Sequence, residues 1–142
     1  MSLNQIAFRS LDYKTLDRVV EKYKHEWIGF DAKELVYNPK NILVTDGNRN
    51  FGLFEYEEEG IYYGHYLFSA RGPEKTYKIA KHLIDYLFKN YPVETILGLT
   101  PVEHEGALRL NKRLGLKTYG LVDTDAGWHY QVKLTKEDFY NE

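Results

Sequence analysis

Two groups of residues in this 142-residue chain have types and spacing that could do chemistry. The first is Glu55, Glu57 and His65, on successive strand-like runs. Residues two apart in a strand share a face, so Glu55 and Glu57 point the same way. A carboxylate or imidazole so placed can take a proton from a reacting group, directly or through water. The same residues also read as a solvated acidic face beside the turn at 57–59 and a partly buried, hydrogen-bonded histidine. The second group is Arg71, Gly72, Glu74, Lys75 and Thr76, where an apolar strand enters a long amphipathic helix. A helix start presents unpaired amide hydrogens and the positive end of the dipole, which suit a phosphate. Lys75 and Lys78 oppose that dipole, at about 0.3–1 kcal/mol each when exposed. They favour an anion nearby, or else belong to a solvated basic face continuing through Lys81 and Lys89. Glu74 suits a helix start but has the wrong charge for a phosphate.

The elements around these groups can be read from periodicity and turn residues. Ile61 to Ser69 is an apolar strand, and a helix from Glu74 to about Asn90 ends before Pro92. Its apolar face is Tyr77, Ala80, Leu83, Ile84, Leu87, Phe88 and Tyr91. Thr95 to Thr100 is the next strand, and a helix from about Glu103 to Leu114 stops at Gly115. Two strands joined by such a helix are parallel, with a right-handed crossover. Gly64 and Gly98 are candidates for a bulge or bend that parts them. Upstream, Gln5 to Leu11 reads as a strand, and Asp12 as the cap of a helix using Leu16, Val19, Val20 and Tyr23. A short helix around Ala32 to Val36 follows. Ile42–Thr45, Phe51–Tyr56 and the strand from Ile61 form an antiparallel meander through the turns at 46–50 and 58–60. A hairpin of Thr118–Val122 and Trp128–Leu134 closes the chain, burying Trp128, Tyr130, Val132 and Leu134.

Composition narrows the class. The length suits one domain, residues 1–142, and 43% apolar with 28% charged residues is that of an ordinary soluble globule. A net charge of −2 without a basic, aromatic-interleaved stripe argues against a nucleic-acid partner. The absence of cysteine excludes disulfides, thiolate metal sites and cysteine nucleophiles. His25, His65, His82, His104 and His129 show no paired ligand spacing, so no metal is expected. No apolar run reaches membrane-spanning length and residues 1–9 hold no signal-peptide core, so a cytoplasmic protein without a membrane partner is expected by default. The 13 Tyr, 7 Phe and 2 Trp read as amphipathic core and rim residues, some of them a possible ligand wall. Tyrosine-rich strands would also suit a homodimer.

The element order resembles the GNAT acetyltransferase superfamily. Ala107-x-x-Leu110-x-x-x-x-Gly115-Leu116 resembles that family's A-x-x-L-Y-x-x-x-G-F, and the run from Thr100 to Gly115 is similar to GNAT-like proteins of tailed phages. The resemblance implies an α/β (α+β) fold: a mixed, mostly antiparallel sheet, a strand–helix–strand acyl-CoA-binding unit, and helices on both faces. It implies acetyl-CoA as acyl donor and a small-molecule or protein amine as acceptor. Phe68 and Ala70 match strand positions whose backbone pairs with the pantetheine arm, and Arg71, Gly72, Glu74, Lys75 and Thr76 match the phosphate loop. That loop reads R-x-x-G-x-G/A in the family, whereas Glu74 and Thr76 stand at the small-residue positions here. His104 replaces an asparagine early in the last helix, and Asn111 replaces the tyrosine assigned to protonate the leaving thiolate. His104, Ala107 and Asn111 are nonetheless carried over as cofactor-binding positions.

Transfer from a thioester requires the amine to be neutral, although a lysine-like amine has a pKa near ~10.4. Glu55 and His65 are the candidate bases, and Tyr119 a substitute proton donor to the thiolate. The altered loop and Asn111 also suit a catalytically silent GNAT-shaped module, an interaction or virion-associated phage protein.

Overall fold

The computed structural model describes residues 6–21 and 30–141. Tyr23, Gln5 and His25 lie outside the described residues. A two-residue strand β1 (Phe8–Arg9) leads to Asp12, whose carboxylate accepts from the Thr15 amide at 3.1 Å and starts α1 (Tyr13–Val20). Asp31 caps α2 (Ala32–Tyr37) in the same way. The meander is β2 (Ile42–Thr45), β3 (Asn50–Glu58) and β4 (Ile61–Phe68). The crossover helix α3 (Pro73–Asn90) follows, then β5 (Thr95–Pro101) and α4 (Glu105–Leu114). Gly115, at φ 94°, takes the left-handed conformation that ends α4. The hairpin is β6 (Lys117–Thr124) and β7 (Gly127–Thr135), and a short helix α5 (Lys136–Tyr140) closes the described chain.

The seven strands form one sheet in the order β1-β2-β3-β4-β5-β7-β6, antiparallel except for the β4–β5 pair. Alternation along β3 and β4 divides two cores. Phe54, Tyr62 and Phe68 pack with Ala80, Leu83, Ile84, Leu87 and Phe88 of α3, which are the apolar positions expected of that helix. Leu53 and Leu67, of opposite parity, pack with Leu16, Val19 and Val20 of α1 and Val36 of α2. Helices therefore cover both faces near β2–β4.

Two expectations need correction. The buried side of β7 narrows to Val132 and Leu134, while Trp128 lies exposed beside the hairpin tip. Helix α5 was not anticipated from the sequence. Its signal was the Thr135 hydroxyl, which accepts from the Asp138 amide at 3.1 Å, with Glu137 and Asp138 in the first turn.

Candidate functional site

The site arises where β4 and β5, the one parallel pair among the described residues, stop pairing. β4 and β5 pair through Ile61–Thr95, Tyr62–Ile96 and Tyr63–Leu97, and no further. Both strands continue, β4 to Phe68 and β5 to Pro101, so they part at Gly64 and Gly98. Neither glycine is a bulge; the irregularities lie at Tyr56/Glu58 and Thr118/Gly120. Gly64 is required sterically. A Cβ there would stand 2.8 Å from Ile96 Cγ2 and 3.1 Å from Phe54 Cε1. Ile96 is β-branched and stiff, so it cannot swing away cheaply. Gly64→Ala should cost about 1–2 kcal/mol in urea unfolding, a typical overpacking penalty. An unchanged midpoint would show that the apex is loose.

The gap opens into a cavity of about 670 Å³. Gly64, His65 and Tyr66 all line it, as do all residues from Ile96 to Pro101. Unbroken runs of lining residues on both strands place the cavity in the cleft between β4 and β5 where they part. Its walls on the helix side are apolar, including Phe54, Ile84, Val132 and Leu134. Its mouth carries Arg71, Gly72 and Thr76 from the start of α3, and Arg109 and Arg113 from α4. Arg109 and Arg113 went unread in the sequence; their one-turn spacing on α4 was the available signal.

At the apex, Glu55 and His65 form one unit. Glu55 Oε2 lies 2.6 Å from His65 Nε2, and both side chains are about one-third or less exposed. A carboxylate can only accept here, so Nε2 carries the hydrogen and the lone pair of a neutral ring sits on Nδ1. The two candidate bases thus come together, on the sheet face opposite α3. Glu57, of the same parity, is exposed. Tyr63 shares this face. Burial chiefly pushes its phenol pKa up, with Tyr119 and Glu57 adding to the shift. Tyr66 also lines the cavity, and burial raises its phenol well above the ordinary value, so it stays protonated as a donor.

The phosphate-loop positions divide. Arg71 Nη1 folds back on the Phe68 and Ala70 carbonyls, each at 3.3 Å. The Ala70 amide donates to Asn50 Oδ1 at 3.0 Å, so both backbone groups of Ala70 are engaged within the loop. Thr76 lines the mouth, with its hydroxyl donating to the Gly72 carbonyl at 2.8 Å. Glu74 does not plug the cavity. It turns to α4, where Arg113 Nη1 donates to Oε1 at 2.9 Å. Lys75 lies on the other side of α3, beside Lys78 and His82 at a second cavity of about 420 Å³. One helical position separates the two directions, which a linear motif cannot express.

The α4 positions have local duties. His104 is the N-cap, its Nδ1 accepting from the Ala107 amide at 3.1 Å, which leaves Nε2–H to donate along the cavity rim. Ala107 lines the cavity. Asn111 is buried and donates to Thr100 Oγ1 at 2.8 Å, joining α4 to β5. The structure does not bring Tyr119 to the cavity. It is the extra residue of the Thr118/Gly120 bulge, half exposed, with Lys133 Nζ 5.8 Å from its ring centroid. Among the described residues, no group of His, Asp and Glu could hold a metal ion, and no helix is long and apolar enough to cross a membrane.

No family model matches the sequence, and no curated protein matches it either. Solved structures match it in shape. The aminoglycoside acetyltransferase AAC(6')-Ib in complex with coenzyme A aligns over 96% of this chain and 98% of its own, at 17% identity and a TM-score of 0.64. A variant of the spermidine N-acetyltransferase SpeG from Vibrio cholerae aligns over 96% and 98%, at 10% identity and a TM-score of 0.76. An uncharacterized protein from Bacillus halodurans aligns over 96% and 94%, at 12% identity and 0.66. At these identities the likeness shows the fold, which is the mixed, mostly antiparallel GNAT architecture.

Proposed function

We propose that this chain is an acyl-CoA-dependent N-acyltransferase, with acetyl-CoA as donor, acting as a single domain in solution. One observation carries the reading: the parallel pair parts at Gly64 and Gly98 and leaves a cavity between the strands beside the start of α3. Past Tyr63, β4 no longer pairs with β5, which leaves room for an extended amide chain between the two strands. Apolar walls suit the arm of coenzyme A and the cationic mouth suits its phosphates. The solved neighbours named as aminoglycoside and spermidine acetyltransferases, some of them holding coenzyme A or acetyl-CoA, support the same reading.

An acyl-CoA supplies a thioester, whose acyl carbon is attacked by the acceptor amine while the C–S bond breaks. His65, two residues beyond the last paired position, stands on the acceptor side of the opening. Glu55 holds the ring with Nε2–H donated, so Nδ1 takes the amine proton. Tyr66 offers the departing thiolate a hydroxyl from the cavity wall. Glu55 and Glu57 set a negative field on this face, which favours a cationic amine.

Acetyl-CoA at a hundred times its Kd should stabilise the fold by ~2.7 kcal/mol, read as a rise in Tm. Millimolar acetyl-CoA with no rise would defeat the reading. A second reading, a GNAT-shaped interaction module such as a virion-associated phage protein, is favoured by one observation: Asn111, at the usual acid position, is buried on Thr100. Binding without thiol release across an amine panel including spermidine and an aminoglycoside would select it.

A further inference from the structure

The start of α3 is a poor phosphate site by itself. Pro73 occupies the first helical position and has no N–H, no side chain caps the helix, and the Thr76 amide already donates to the Gly72 carbonyl at 3.0 Å. Glu74 adds a negative charge in that same turn. Arg71 spends Nη1 on its own loop carbonyls. The cations that remain at the mouth come from the far wall, Arg109 and Arg113 on one face of α4.

Arg113 is already posed. Its guanidinium carbon lies over the Tyr77 ring, 3.8 Å from the centroid, and Nη1 donates to Glu74. Glu74 is 70% and Arg113 43% exposed, so water screens the pair and it is readily exchanged. A diphosphate offers a planar guanidinium more acceptor oxygens than one carboxylate, and carries two negative charges in all, one on each phosphate.

We infer that the diphosphate of the acyl carrier is clamped by Arg109 and Arg113 of α4, and that Glu74 is the counter-ion it displaces from Arg113. Glu74 holds the arginine across the mouth while the site waits, and it compensates the α3 dipole meanwhile. This assignment rests on the acyl-CoA reading above.

The test is calorimetric titration of coenzyme A, dephospho-coenzyme A and pantetheine into the whole chain. Replacing Arg109 and Arg113 together by Ala should weaken coenzyme A at least about tenfold, or 1.4 kcal/mol, and flatten its salt dependence. Dephospho-coenzyme A should lose as much, and pantetheine should be indifferent. Arg113→Lys, which keeps the charge and loses the fork, should fall between. Glu74→Gln should tighten coenzyme A about threefold by removing the competing carboxylate. Lys75→Ala, on the other side of α3, serves as the control and keeps wild-type affinity. Equal coenzyme A affinity in the double variant, or weaker binding in Glu74→Gln, overturns the clamp alone. A loss confined to coenzyme A, absent with dephospho-coenzyme A, moves the clamp to the ribose phosphate and overturns the diphosphate assignment. A wild-type chain that binds none of the three overturns the acyl-CoA reading itself.

Discussion

His65→Ala is expected to slow acyl transfer by about 10²–10³-fold at saturating donor and amine, with coenzyme A affinity nearly unchanged. The reason is geometric. His65 lies on the face opposite α3 and its ring is oriented by Glu55 at 2.6 Å, while the cationic mouth lies at the start of α3 and on α4. Removing the ring removes the base without touching the phosphate end. Glu55→Gln should cost less, about tenfold, because the amide oxygen can still accept from Nε2–H while losing the charge that favours the imidazolium. The order of the two effects is the informative result. A Glu55→Gln loss that exceeds the His65→Ala loss would make the carboxylate the base and the histidine its neighbour. Free-thiol release with the best acceptor of the amine panel measures both.

Much of this site was legible in the sequence because it is local. A strand and a helix joined by a short loop announce themselves through periodicity, and the glycines at 64 and 98 sit where the parting begins. Tyr77, Leu83 and Leu87 fall on one helical face whatever the rest of the chain does. The pairing of Glu55 with His65 was not legible, because it depends on the β3–β4 register that sets Leu53 opposite His65 and Glu55 opposite Tyr63. The fate of Glu74 was hidden for a similar reason: its partner, Arg113, is 39 residues away. The places of Lys75 and Tyr119 depend on direction, which spacing along the chain does not carry. One helical step turned the lysine to the other side of α3, and a bulge carried the tyrosine out of the ladder. Turns that looked like mere punctuation also carried weight. The loop at 46–50 was read only as a connection, yet it contains the side chain that ties down the loop beyond β4.

That side chain is Asn50, and Asn50→Ala is expected to cost about 3 kcal/mol of folding free energy. Asn50 is 3% exposed, and its Oδ1 accepts from both the Ser69 and Ala70 amides at 3.0 Å. Its Nδ2 donates to Asp46 Oδ2 at 2.9 Å, with the Asn48 carbonyl at 3.2 Å. Truncation strands the Ala70 amide, leaves the Ser69 amide only the Arg49 carbonyl at 3.1 Å, and removes a donor from a carboxylate that is itself only 8% exposed. Unmade hydrogen bonds of this kind cost roughly 1–3 kcal/mol each, before relaxation and water entry reduce the sum. Asn50→Asp separates the parts: it keeps the acceptor for both amides but sets a second carboxylate against Asp46. It should be about as damaging at neutral pH. Adding Asp46→Asn to it restores a donor between the two positions and should recover at least half of the loss. Urea unfolding of the wild type, Asn50→Asp, Asp46→Asn and the double variant gives the cycle. Because the Ala70–Arg71 loop hangs from Asn50, the truncated chain should also bind coenzyme A more weakly wherever it remains folded. A chain that lost stability but kept full affinity would show that the mouth of the cavity is held from α3 and α4 alone.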